Sequence, residues 1–191
     1  MWIETMTAKT GTNKTVTTKT LTGRICAAAA LVAVASPVLT APAAATPIGP
    51  HAALCESGAR SVTVRVTGFR ARTGILRVQL YAAVPGTFLE RGRYLARVEI
   101  PATGAGDMDV CLPVSAAGSY AVMVRHDANG NGSSDRSDGA GFSGNPRVSL
   151  LDLALRRKPP LERVAFAVGA GNVTQRVVLN YVQGTRFGPI A

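Results

Sequence analysis

The chain has 191 residues, 47% hydrophobic and 17% charged, which excludes collagen-like and charge-driven disordered chains. Lys and Arg number 21 against 11 Asp and Glu, a formal charge of +10 that raises nucleic acid and anionic membrane as partners. The length suits one domain.

Residues 1–24 are polar and threonine-rich, with Lys9, Lys14, Lys19 and Arg24 opposed only by Glu4. An alanine-rich apolar run over 25–39 follows, too short to span about 30 Å of hydrocarbon but of the length of a signal-peptide core. Ala43-Ala44-Ala45 then offers a small-residue cleavage site. The expectation is a signal peptide over 1–45, a mature chain from Thr46, and no integral membrane segment after cleavage. Export takes Cys26 away and leaves Cys55 and Cys111, which an oxidising compartment would join as a disulfide. Beyond the leader the basic residues are arginines except for Lys158. They are scattered over predicted strands without the interleaved aromatics that stacked bases need, so no nucleic acid is expected.

Residues 46–57 read as a proline- and alanine-rich lead-in, and 58–191 as a single β-sandwich domain. Ser61–Thr67 alternates, with Val62, Val64 and Val66 on one face, as a half-buried strand does. Ile75–Ala82 alternates likewise, and the FRARTG segment before it suggests a hairpin with the first strand. Residues 85–92 form a loop or a single helical turn. Strands are expected over 94–100, 107–114 and 118–126, the last with Tyr120, Val122 and Val124 on one face. Residues 149–158 start a short helix capped by Ser149 and stopped by Pro159-Pro160. The last strands fall over 163–168 and 173–182. About seven short strands and at most one short helix make an all-β, antiparallel β-sandwich of immunoglobulin or transthyretin type.

One segment carries chemistry. Asp127, Asn129, Asn131, Ser133, Asp135 and Asp138 stand at positions 1, 3, 5, 7, 9 and 12 of a calcium-type loop, with Gly132 at position 6 for the sharp bend. Side-chain oxygens at alternate positions and the position-7 carbonyl converge in such loops. Calcium is therefore the expected ligand, at the ~10⁻⁴ to 10⁻³ M affinity of extracellular modules. The competing reading is a metal-free polar turn, since Asx-Gly sequences form turns unaided. A strand before the loop and GFSGNP after it exclude the helix flanks of an EF-hand.

The segments GSYAVMVRHDANGNGSSD, GFSGNPR and PPLERVAFAV, followed by a valine-rich strand, resemble the bacterial exported family catalogued as domain of unknown function 2141. In that family a "YAv.v.HD.NgNg..D" segment leads to a "GFSnn" turn and a "PsFe.A.F" strand. The likeness covers roughly residues 61–181. This chain has a shorter stretch between Asp135 and Gly141 and an inserted SLLDLALRRK. The resemblance implies a β-sandwich in the envelope of Gram-negative bacteria, periplasmic or extracellular, and no established reaction.

Recognised enzyme signatures are absent from the sequence: there is no G-x-S-x-G and no H-E-x-x-H. A non-enzymatic envelope module is expected, binding calcium and presenting loops to another envelope component or a carbohydrate. The alternatives are a metal-free accessory module meeting a membrane or protein partner, and a hydrolase or lyase using His126 and Asp127. Tyr81, Phe88, Tyr94 and Phe142 are expected to pack in the core or its loops rather than form a ligand platform.

Overall fold

The computed structural model describes residues 46–190; the expected signal peptide lies outside the described residues. The elements in chain order are α1 (Ala52–Glu56), β1 (Ser61–Thr67), β2 (Ile75–Ala82), β3 (Ala96–Pro101), β4 (Met108–Pro113), β5 (Gly118–Asp127) and β6 (Gly139–Phe142), then α2 (Leu150–Ala154), α3 (Leu161–Val164), β7 (Phe166–Val168), β8 (Asn172–Val178), β9 (Asn180–Gln183) and β10 (Arg186–Pro189). Two sheets result, one of order β4-β1-β8 and one of order β10-β9-β6-β5-β2-β3 with β7 beside β5. The all-β sandwich is as expected. Among the described residues, three short helices replace the single one foreseen, and ten strands the approximate seven.

The core between the sheets is built from alternating residues of both: Val62, Val64 and Val66 from β1, Leu76, Val78 and Leu80 from β2, and Tyr120, Val122 and Val124 from β5. Each strand places every second side chain on that face. A smaller cluster of Tyr81, Phe88, Ala121, Phe142 and Val164 fills the outer face of the large sheet. Tyr81, Phe88 and Phe142 thus pack as expected, whereas Tyr94 is exposed.

Four differences from the sequence reading have physical causes. First, β1 does not form a hairpin with β2; it pairs with β4 antiparallel and with β8 parallel, so the sandwich is not wholly antiparallel. The FRARTG segment crosses between sheets instead of turning within one. Second, β1 is buried on both faces, because α1 and the Cys55–Cys111 disulfide, with Cα atoms 6.0 Å apart, lie on the α1 side of the small sheet. There Thr63 meets Asn172, and Arg65 binds the buried Asp109 through two bonds of 2.9 and 2.7 Å. That pairing raises the Arg65 pKa. The lead-in therefore belongs to the domain: its Ile48 bridges Val110, and its N–H donates to Asp109 O at 2.7 Å.

Third, the strand foreseen over 173–182 breaks at Leu179 and changes sheet, β8 staying beside β1 and β9 joining β6. Corners where strands switch sheets are made by such bends. Here β8 crosses so close to β6 that a Cβ on Gly141 would lie 2.6 Å from Val177 Cγ1 and Val178 O. Fourth, residues 161–164 are helical, and only 166–168 form the strand placed at 163–168. Glu162 and Arg163 sit in a single turn that Pro160 initiates, a position where its fixed φ is no handicap. The Ser149 cap is as foreseen, reinforced by Asp152 bonding back to the Ser149 N–H at 3.0 Å.

Candidate functional site

Strand β5 delivers three consecutive residues to two faces. Arg125 and Asp127 share its outer face, whereas His126 points into the molecule and is fully buried. The Nδ1 of His126 lies 2.7 Å from the Tyr181 hydroxyl, and Nε2 lies 2.8 Å from Thr73 O. The Tyr181 oxygen also accepts the Arg70 N–H at 3.2 Å. One tautomer satisfies all of these groups: Nε2–H donates to Thr73 O, and Nδ1 accepts from Tyr181. Phe69 meets the imidazole edge-on at 5.5 Å, and burial pushes the Tyr181 pKa up. His126 is thus a joint between the FRARTG crossing, β5 and β9. Tyr181→Phe removes two bonds, leaving Nδ1 without a donor and the Arg70 N–H without an acceptor, so a loss of about 2 kcal/mol of stability is expected in urea melts; an unchanged midpoint would refute the joint.

The 127–138 loop curls through side-chain to backbone bonds. Asp127 Oδ2 accepts the Gly132 N–H at 2.8 Å, Asn129 Oδ1 the Asn131 N–H at 3.1 Å, Asn131 Oδ1 the Ser133 N–H at 2.8 Å, and Asp135 Oδ1 the Ser137 N–H at 2.8 Å. The bonds of Asn129, Asn131 and Asp135 are Asx turns, each two residues long, and that of Asp127 closes the loop across five residues. The Nδ2 groups of Asn129 and Asn131 both donate to Asp135 Oδ2, at 2.8 and 2.9 Å. Together with Ser137, they hold the Asp135 carboxyl well below the usual carboxylate range. Asp138 closes the ring, its Oδ1 accepting the Ala128 N–H at 3.2 Å and its Oδ2 the Asp135 N–H at 3.3 Å. All six predicted positions are therefore brought into one loop.

Two residues absent from the predicted set complete the site. Arg125 donates from Nη2 to Ser133 O and, at 3.1 Å, to Asp138 Oδ2, and lies 3.6 Å from Asp127 Oδ2. Its position two residues before Asp127 on the same strand face was the available signal. Thr73 supports the loop from below, its hydroxyl donating to Ala128 O at 2.8 Å. That contact joins residues 55 positions apart, so no local pattern announces it.

Among the described residues no group of three or more His, Cys, Asp or Glu side chains stands where it could hold a metal. A cation in the loop would depend on the Asn129 and Asn131 oxygens and the Ser133 carbonyl as well as on carboxylates. The donor set is all oxygen, which suits a hard cation. Asp127 Oδ1 is buried without a hydrogen-bond partner, an oxygen free to serve as a cation ligand.

The turn after the loop has its own logic. Ser143 Oγ accepts the Val122 N–H at 2.9 Å and donates to Val164 O at 2.5 Å, tying β5 to α3. Asn145 bonds Arg176 O at 3.0 Å and the Val178 N–H at 2.7 Å, standing in for a ladder residue along β8. No curated protein and no solved structure matches the chain. A family model described as "Uncharacterized protein conserved in bacteria (DUF2141)" matches residues 64–176, a span that holds the strand, the polar loop and this turn. That match covers more than half of the chain, and the protein belongs to the bacterial family of domain of unknown function 2141.

Proposed function

We propose that the protein is an exported, non-catalytic β-sandwich module of the bacterial envelope, whose 127–138 loop takes up one calcium ion and which offers its loops to another envelope component or a carbohydrate. The observation that carries the cation is Asp127 Oδ1, buried without a partner at the position that begins a calcium-type loop. The Cys55–Cys111 disulfide supports an oxidising compartment, periplasmic or extracellular. No helix of the described residues is long and apolar enough to cross a membrane. Against the hydrolase reading stands the burial of His126, whose two ring nitrogens are already engaged inside the fold and offer no base to a substrate.

A second reading has one observation in its favour. Arg125 already brings positive charge to the loop, as a metal-free accessory module would require. Thermal melts of the oxidised protein in EDTA, millimolar calcium and millimolar magnesium separate the two. A site of ~10⁻⁴ M affinity stabilises the fold by about 1.4 to 2 kcal/mol at a few millimolar calcium. Asp127→Ala combined with Asp135→Ala is expected to abolish that shift while the fold persists. A wild-type Tm indifferent to calcium sinks the calcium reading in favour of the metal-free one.

A further inference from the structure

We propose that Arg125 is a tethered competitor for the cation position of the 127–138 loop: its guanidinium fills that position when no divalent ion is present and is expelled when calcium enters. The inference rests on the calcium reading above and adds how that site is regulated.

Nη2 of Arg125 reaches positions 1, 7 and 12 of the loop, with Asp127 Oδ2 at 3.6 Å, the Ser133 carbonyl in direct contact and Asp138 Oδ2 at 3.1 Å. Calcium needs such oxygens at about 2.3–2.6 Å, so ion and guanidinium exclude each other. The guanidinium also fits incompletely. An arginine fork usually engages a carboxylate through two parallel bonds, whereas here one nitrogen serves all three oxygens. Arg125 Nε and Asp127 Oδ1 are both buried and unpartnered. The Asp127 side chain is only 9% exposed, so water does not readily repair the defect.

Calcium in the loop would give Asp127 Oδ1 a partner, and Arg125 released to solvent would hydrate its Nε. Both defects of the arginine-filled loop are therefore removed by exchange. Its register neighbour on β2 is Arg77, itself a cation already bound to Glu99, and gives the released side chain no acceptor. Among the described residues, the ion-pair partners of Arg125 are Asp127 and Asp138 alone.

The test is calorimetric titration of CaCl₂ into the wild-type protein and Arg125→Gln. Apparent affinity scales with the fraction of sites free of the arginine, so binding about tenfold tighter in the variant is expected. The variant should also melt below wild type in EDTA, but not in saturating calcium. Equal affinities overturn the competition and leave the calcium site standing. Heat in neither protein overturns both. Binding by the variant alone supports competition and rejects calcium for the wild type. Should Arg125→Gln fail to fold, the Arg125 Nε–H resonance of the wild type decides: protected from solvent exchange in EDTA, it should lose protection with calcium, and unchanged protection at saturation overturns the proposal.

Discussion

Reducing the Cys55–Cys111 bridge, or replacing both cysteines by alanine, is expected to lower the unfolding free energy by about 4 kcal/mol. The bridge spans 56 positions, and a loop of that size restricts the unfolded chain strongly. In the folded state it fastens α1 to β4, whose Cys111 is fully buried and paired in register with Thr63. Once it is cut, the lead-in is held to β4 mainly by the two backbone bonds of Ile48, at 2.7 and 3.4 Å. Small domains are stable by only about 5–15 kcal/mol, so the loss is a large share of the total. Urea melts with and without dithiothreitol measure it, and a difference below about 1 kcal/mol would contradict the account. The calcium response, which depends on the far end of β5 in the other sheet, should survive reduction wherever the fold does.

The bridge also shows what sequence could reveal. Two cysteines left beyond an expected export signal point to a disulfide, because the inference needs only a count and an assumed compartment. The valines of β1 and the alternation of β5 were equally legible, since a strand with one face in the core repeats every two residues. Burial of Thr63 on the other face was not, because it follows from β8 arriving from a distant part of the chain and from α1 being fastened to β4 by a bridge between residues 56 positions apart. Residues 139–142 read as loop for a related reason. Gly139 and Gly141 carry no strand signal, yet both are needed where neighbours press in: a Cβ on Gly139 would lie 2.5 Å from the Tyr181 ring.

The candidate site divides the same way. The spacing of Asp127, Asn129, Asn131, Gly132 and Asp135 is local, so the curled loop is written in consecutive residues. Its contents are not. Whether an ion or a guanidinium fills the centre depends on where the Arg125 side chain points, and alternation gives its face but not its reach. The support beneath the loop comes from Thr73 and Gly74, which sequence places in a different turn.

That support makes Gly74→Ala the most damaging single substitution expected near the site. Gly74 has φ of +74°, and a Cβ there would sit 1.9 Å from Asp127 O and 2.9 Å from Ala128 O. The obstacles are backbone atoms, so relief requires moving either the start of β2 or the exit of β5. Strain at positive φ and the forced shift together should cost about 3 kcal/mol or more. Gly132, at position 6 of the loop, gives the comparison. Its φ is +76°, but nothing lies within 4 Å of an added Cβ, and its N–H would still reach Asp127. Gly132→Ala should cost only about 1 kcal/mol. Converted to melting temperature for a domain of this size, the drops are roughly 10 °C and 3 °C. Gly74→Ala should also weaken the calcium-dependent rise in Tm, because Asp127 is the residue its methyl group displaces. Equal drops for the two variants would show that backbone conformation alone sets the cost, and that Gly74 does not position the loop.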